Sequence, residues 1–243
     1  MNMVNVRKAI ICMAAAATAL ATASCQKDDT LAYNNMTMGN IVEGKIVSDQ
    51  GNTFNIVRQT CGGSLEGEKR VMILCDVLNE TNGTDNEYDV CLTSFASVLE
   101  KQPVALENAG EGEIAVQNPV LIDQLWFSGG YVNMMVRSHV KPGSDSKHLV
   151  NLVYSKNDKG EYVFNFRHNA YEEVWSKENA SQLVISGGSY ISFPIADIIK
   201  ENEAKIILNW KWYKTTEFEF DFSTEEDYEF RYDWKRSGFI QKF

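Results

Sequence analysis

The most chemically suggestive tetrapeptide in the chain is Phe166-Arg167-His168-Asn169, which sets a cation, an imidazole and an amide side by side. At the two-residue period of a strand, His168 continues the face of Tyr162, Phe164 and Phe166, the place of a hydrogen-bonded core or rim residue. Arg167 and Asn169 share the opposite face with Asn165, where they either contact a ligand or are simply solvated. A third candidate is Trp175, within the loop-like stretch "NAYEEVWSKEN", where an exposed indole could stack on a sugar ring. Trp126, Trp210, Trp212 and Trp234 fall in strand patterns and read as core. No spacing proposes a catalytic set. The chain has no G-x-S-x-G elbow, no H-E-x-x-H helix and no G-x-x-x-x-G-K-[ST] loop. Acids abound, but a glycosidase needs two carboxylates facing each other across a cleft, and sequence pairs no two of them. His139, His148 and His168 read as scattered, and no Cys, His or carboxylate group has tight metal-ligand spacing. Neither a catalytic residue nor a metal or cofactor is expected.

The clearest covalent chemistry is at Cys25. Residues 1–24 run from Arg7 and Lys8 through an apolar, Ala-rich core to Thr22, Ala23 and Ser24, the order of an export signal rather than a membrane span. A thiol directly after Ala23-Ser24 is placed for alkylation by a diacylglyceryl group, as in a bacterial lipobox. Thr22 stands where a large aliphatic residue is usual. The following Gln26, Lys27, Asp28 and Asp29 resemble a lipoprotein signal for the outer face of the outer membrane, against the alternative of a solvated tether on a periplasm-facing protein. The membrane, through the lipid anchor, is thus an expected partner.

Loss of the signal moves the formal net charge from −10 to −12, because it removes Arg7 and Lys8 and no acid. Phosphate backbones repel such a chain, so nucleic acid is not an expected partner. With 44% hydrophobic residues and only 4 Pro, the chain is globular. Cys61, Cys75 and Cys91 remain in the folded part, an odd number that is no disulfide framework. Alternation sets Cys75 with Val71, Ile73 and Val77, but leaves Cys91 opposite Tyr88, Val90 and Leu92. That arrangement argues against a bridge between them.

The elements that must position these residues are strands. Residues 38–106 carry short strand patterns between turn-rich pieces, as in a small barrel. Residues 107–118 are Gly- and acid-containing with little periodicity and read as a linker after which alternation is clear. "SGG" at 128–130 separates two strands, and Gly129-Gly130 supplies the positive φ of a tight hairpin. Val132, Met134, Val136 and Val140 share one face of the second strand; Asn133, Arg137 and His139 share the other, expected wet. The pattern continues to residue 234, favouring an antiparallel β-sandwich. "PIADIIKENE" reads as a short helix with Pro194 at its start. Residues 235–243 read as an added tail.

Together "LIDQLWFSGGYVNMMV", "HLVNLVYSKNDKGEYVFNFRHNA" and "GGSYISFPIADI" resemble the C-terminal β-sandwich domain of the NigD-like lipoproteins. Residues 38–106 resemble that family's N-terminal OB domain more loosely. The resemblance implies an all-β chain of 25–37 tether, 38–106 OB-like barrel, 107–118 linker and 119–234 sandwich. It also implies an exported lipoprotein, in one member linked to bacteriocin immunity. Three function classes follow: a non-catalytic surface lipoprotein with a binding or protective, immunity-like role; a carbohydrate-binding accessory lipoprotein; and an unrecognised hydrolase. The first is favoured, with an unidentified protein or glycan as ligand.

Overall fold

The computed structural model describes residues 36–81, 85–200 and 204–211, with strands at 214–216, 219–221, 225–232 and 239–242 described by their backbone. The signal segment, Cys25 and residues 26–29 lie outside these, as do Trp212 and Trp234.

The first five strands are β1 (Thr37–Val42), β2 (Lys45–Ser48), β3 (Thr53–Gln59), β4 (Arg70–Glu80) and β5 (Glu87–Glu100). They pair β1 with β2, β2 with β3, β3 with β5 in parallel, β5 with β4, and β4 back to β1, so the sheet closes. This is the five-stranded OB-like barrel, which leaves no free edge. Its core gathers Ile46, Phe54, Val71, Ile73, Cys75, Val90 and Leu92. Cys75 lies opposite Leu92, and Cys91 lies opposite Asp76. The one-residue offset places the two thiols on opposite faces, and both are free. Burial pushes the Cys75 thiol up to about 11.

The chain continues through β6 (Val104–Ala105), a 3-10 turn at Leu106–Asn108 and one helical turn at Glu111–Ile114. Then come β7 (Leu121–Ser128), β8 (Tyr131–Arg137), β9 (His139–Val140), β10 (Leu149–Lys156), β11 (Tyr162–Asn169), β12 (Val184–Ile185) and β13 (Ser189–Pro194). The last strands are β14 (Ala204–Lys211), β15 (Lys214–Thr216), β16 (Glu219–Asp221), β17 (Glu225–Tyr232) and β18 (Phe239–Lys242). Two sheets face each other as a sandwich: β18-β7-β8-β13-β5 and β17-β14-β11-β10-β6. Strand β5 serves both bodies, because Val98, Leu99 and Glu100 at its end pair in parallel with β13.

Strict alternation drives this packing. In β11 every second residue from Tyr162 to His168 is buried, and Phe164 and Phe166 meet Leu125, Phe127 and Phe193 of the facing sheet. Two expectations change. "PIADIIKENE" forms no helix among its described residues; β13 runs through Pro194, and the N–H groups of Ile198 and Ile199 close a single turn on the carbonyl of Ile195. That turn drops Ile195 and Ile199, both fully buried, into the sandwich core, and the chain then returns to a strand. Residues 239–242 of the expected tail form β18 instead, which pairs along β7 and satisfies its edge.

Asn133, expected on a wet face, is fully buried because the barrel covers that side of β8. It belongs to a network centred on Arg70, also fully buried. Arg70 forks onto Asp49 at 2.9 and 2.7 Å, donates from Nη1 to Asn40 and from Nη2 to Asn133, and donates from Nε to Ser192. All five guanidinium N–H groups have acceptors. The Tyr131 ring packs 3.9 Å from the guanidinium, and Ser128 donates to Asp49. Asn40, Asp49 and Arg70 belong to the barrel, the others to the sandwich, so the network rivets one to the other. Gly129 (φ 58°) touches the same spot, where a β-carbon would overlap the Asp49 carboxylate.

Candidate functional site

At one end of the sandwich the two sheets splay around a groove of about 520 Å³. Val136, Val150 and Ile191 form its apolar inner wall, with Leu99 and Leu149 towards the mouth. Ser138, His148 and His168 lie at its floor. Its size falls within the range of small-ligand pockets.

The antiparallel register of β10 and β11 builds the floor. Val150 lies opposite His168, so His148, two residues before it, stands diagonally beside that imidazole. The rings approach with His148 Nδ1 and His168 Nε2 3.0 Å apart. Glu173 arrives from the turn after β11. Asn169 Oδ1 accepts the N–H of Tyr171, which takes a left-handed φ of 50°, and the N–H of Glu173 closes on the Ala170 carbonyl. The turn aims the Glu173 carboxylate inward, 2.8 Å from His148 Nε2.

Burial alone would push Glu173 up, yet Ser144, the Lys141 N–H at 3.0 Å and His148 hold it below the usual carboxylate range. Burial, joined by the neighbouring His148, lowers His168 to about 4, so its imidazole is neutral at neutral pH. The Asn118 carbonyl lies 3.3 Å from His168 Nδ1, and this acceptor assigns the ring's proton there. His168 Nε2 is then an acceptor, and His148 must donate to it through Nδ1.

This assignment decides the chemistry. Ser138 Oγ is 3.1 Å from His148 Nδ1, so Ser138, His148 and Glu173 have the spacing of a nucleophile triad. A general base needs a lone pair facing the hydroxyl, however, and Nδ1 carries the proton given to His168. Ser138 therefore accepts rather than donates. The cluster is a closed hydrogen-bond chain beneath the groove. Among the described residues, no group of three or more His, Cys, Asp or Glu is arranged to hold a metal ion.

The histidines read as scattered in sequence are thus brought near one another: His148 and His168 touch, and His139 lines a small cavity together with His168. Trp175 is half-buried, its ring 6.2 Å from that of His139, rather than standing clear of the surface. The cavity beneath it is only about 10 Å³. Arg167 and Asn169 do lie on the outer face of β11, as alternation requires. Arg167 donates through Nη1 to Gln117, so residues leading out of the 107–118 segment cover part of that face. Asn169 shapes the turn that carries Glu173. His148, Ser138 and Glu173 were not singled out in the sequence; the available signal was the "NDKG" turn, from which counting back pairs residue 150 with 168.

The family profile of the NigD-like C-terminal beta sandwich domain matches residues 102–232. The chain belongs to the NigD-like family. Solved structures share its fold. A protein of unknown function from Bacteroides vulgatus is 18% identical, with 82% of this chain and 90% of that one covered and a TM-score of 0.59. A NigD-like immunity protein from Bacteroides caccae is 16% identical over 81% of this chain and 96% of that one, with a TM-score of 0.53. A protein provisionally described as a lipoprotein, from Bacteroides fragilis, is 14% identical over 82% and 97%, with a TM-score of 0.52. No curated protein matches the chain.

Proposed function

We propose that this NigD-like chain is a lipid-anchored, cell-surface-exposed lipoprotein of the outer membrane that binds or protects rather than turning over a substrate, in an immunity-like role. The observation that carries the non-catalytic reading is His168, whose Nδ1 faces the Asn118 carbonyl and whose Nε2 therefore accepts from His148 Nδ1, the nitrogen that Ser138 would need as its base. The groove above that cluster is the binding site. The placement rests on Cys25 after its export signal and on residues 26–29, with the lipoprotein from Bacteroides fragilis as a relative in fold; the immunity-like role rests on the NigD-like immunity protein. The carbohydrate-binding alternative has less support, because Trp175 is half-buried against His139, and Trp126 and Trp210 are core.

The deciding experiment screens the chain from residue 26 onward against hydrolase substrates and surface glycans. No turnover is expected; turnover lost in Glu173→Gln overturns the reading, and glycan binding lost in Trp175→Ala promotes the alternative. Placement is tested in cells. Cys25→Ala should abolish fatty-acid labelling, whereas Ala at Lys27, Asp28 and Asp29 should keep the lipid but protect the protein from external protease. Equal digestion of variant and parent removes the surface signal.

A further inference from the structure

We infer that the groove at the open end of the sandwich binds a small amphipathic anion, an apolar chain ending in a carboxylate. The inference rests on the binding reading above and names the ligand class of that site. It comes from the charge of the lining. The whole chain has 33 acids against 23 lysines and arginines, yet no acid lines this groove, whereas Lys101, Lys147 and His148 do. Neither lysine has an acid partner among the described residues. In an acidic protein a cavity whose charged lining residues are all basic is a local reversal of the field, and it favours an anion.

The rest of the lining fits the other end of such a ligand. Val136, Val150 and Ile191 are buried core residues that remain in contact with the groove, an apolar wall along which a hydrocarbon chain loses its water. Leu99, half-exposed at 50%, extends that surface to the mouth beside Lys101. The hydroxyls of Ser146, Ser186 and Ser189 are further groove-lining donors for an oxyanion. Glu173 lies behind His148, 2.8 Å from its Nε2, and does not line the groove. An apolar inner wall with a basic mouth therefore recognises length and charge together.

The test is calorimetry of the chain from residue 26 onward with decanoate below its micelle concentration, beside neutral octyl glucoside and cationic decyltrimethylammonium. Decanoate should bind one to one and at least about tenfold more tightly than either control. Lys101→Glu and Lys147→Glu should each weaken it about tenfold, as expected for reversing a partly screened charge. Ser189→Trp, which fills the groove from an exposed strand end, should abolish binding without changing the melting temperature. Equal binding of all three amphiphiles, no binding of decanoate, or decanoate binding indifferent to both lysine reversals overturns the inference. A separate arm follows release of nitrophenol from 4-nitrophenyl decanoate. Turnover there that is lost in Ser138→Ala would overturn the non-catalytic reading while leaving the ligand class standing, so the two failures are distinguishable.

Discussion

Arg70 and His148 both take polar chemistry below the surface, but Arg70 is enclosed between barrel and sandwich, whereas His148 lies under an open groove. Every donor of Arg70 has a fixed acceptor, all five of its bonds go to side chains distant in sequence, and the cluster pairs a cation with a carboxylate. The His148 chain includes His168 and Glu173, both held below their ordinary values. Coulomb attraction in such an interior does little more than offset desolvation, so the Arg70 network adds less to net stability than to the fixed docking of the two bodies. The His148 chain shapes a floor. A cluster enclosed between two bodies serves as a joint, and one that lies under an open groove serves as part of a site.

Breaking the joint should have the largest effect. Arg70→Met leaves Asp49, only 3% exposed, without its cation, at an expected cost of about 3–5 kcal/mol. Denaturant titration reads this as a lower midpoint. Arg70→Met combined with Asp49→Leu should recover most of the loss, because the uncompensated charge is gone. A single variant within about 1 kcal/mol of the parent would show that the network is not enclosed as described.

Acid should act next, and on the other region. His168, neutral in the folded chain with its value lowered to about 4, takes up a proton more readily once unfolded. The unfolded chain therefore binds more protons as pH falls through about 6.5, and stability declines in that direction until about pH 4. Glu173, also lowered, adds a loss of the same sign below the ordinary carboxylate range. From pH 7.5 to 5 the His168 contribution alone is about 2 kcal/mol. Melts across that range should show the slope, and His168→Gln should flatten it. An unchanged slope in the variant would place the titration elsewhere.

What the sequence made legible follows from range. The period of two in β11 and the Gly129-Gly130 turn are local patterns, and both stand in the fold. So does the separation of Cys75 from Cys91, since a strand fixes its faces over a few residues. The Arg70 joint was not legible, because Asn133 and Ser192 lie 63 and 122 residues away and nothing marks an Asn on an alternating strand as covered. Ile195 and Ile199 have a spacing that suits a helix equally well as the single core-filling turn they form. The His148 site lay between these cases. Its hairpin register could be counted from the turn, but Glu173 enters through a left-handed Tyr171 that the sequence does not announce.

The smallest predicted effect carries the sharpest distinction between joint and site. Ser138 only accepts from His148 Nδ1, sharing a proton directed at His168 Nε2, so Ser138→Ala removes the weaker half of a divided hydrogen bond and leaves no buried donor unpaired. The expected loss is about 0.5 kcal/mol, at the lower end for a hydrogen bond, with the acid slope kept. If Ser138 instead gave its proton to His148, His148 Nδ1 would be an acceptor, and His168, 3.0 Å away, would have to face it with Nε2–H in the parent as well. The imidazole nitrogen shifts of His168, read by NMR in parent and Ser138→Ala, separate the two arrangements: an Nδ1–H tautomer in both keeps the closed chain, and an Nε2–H tautomer in the parent restores Ser138 as the donor of a triad.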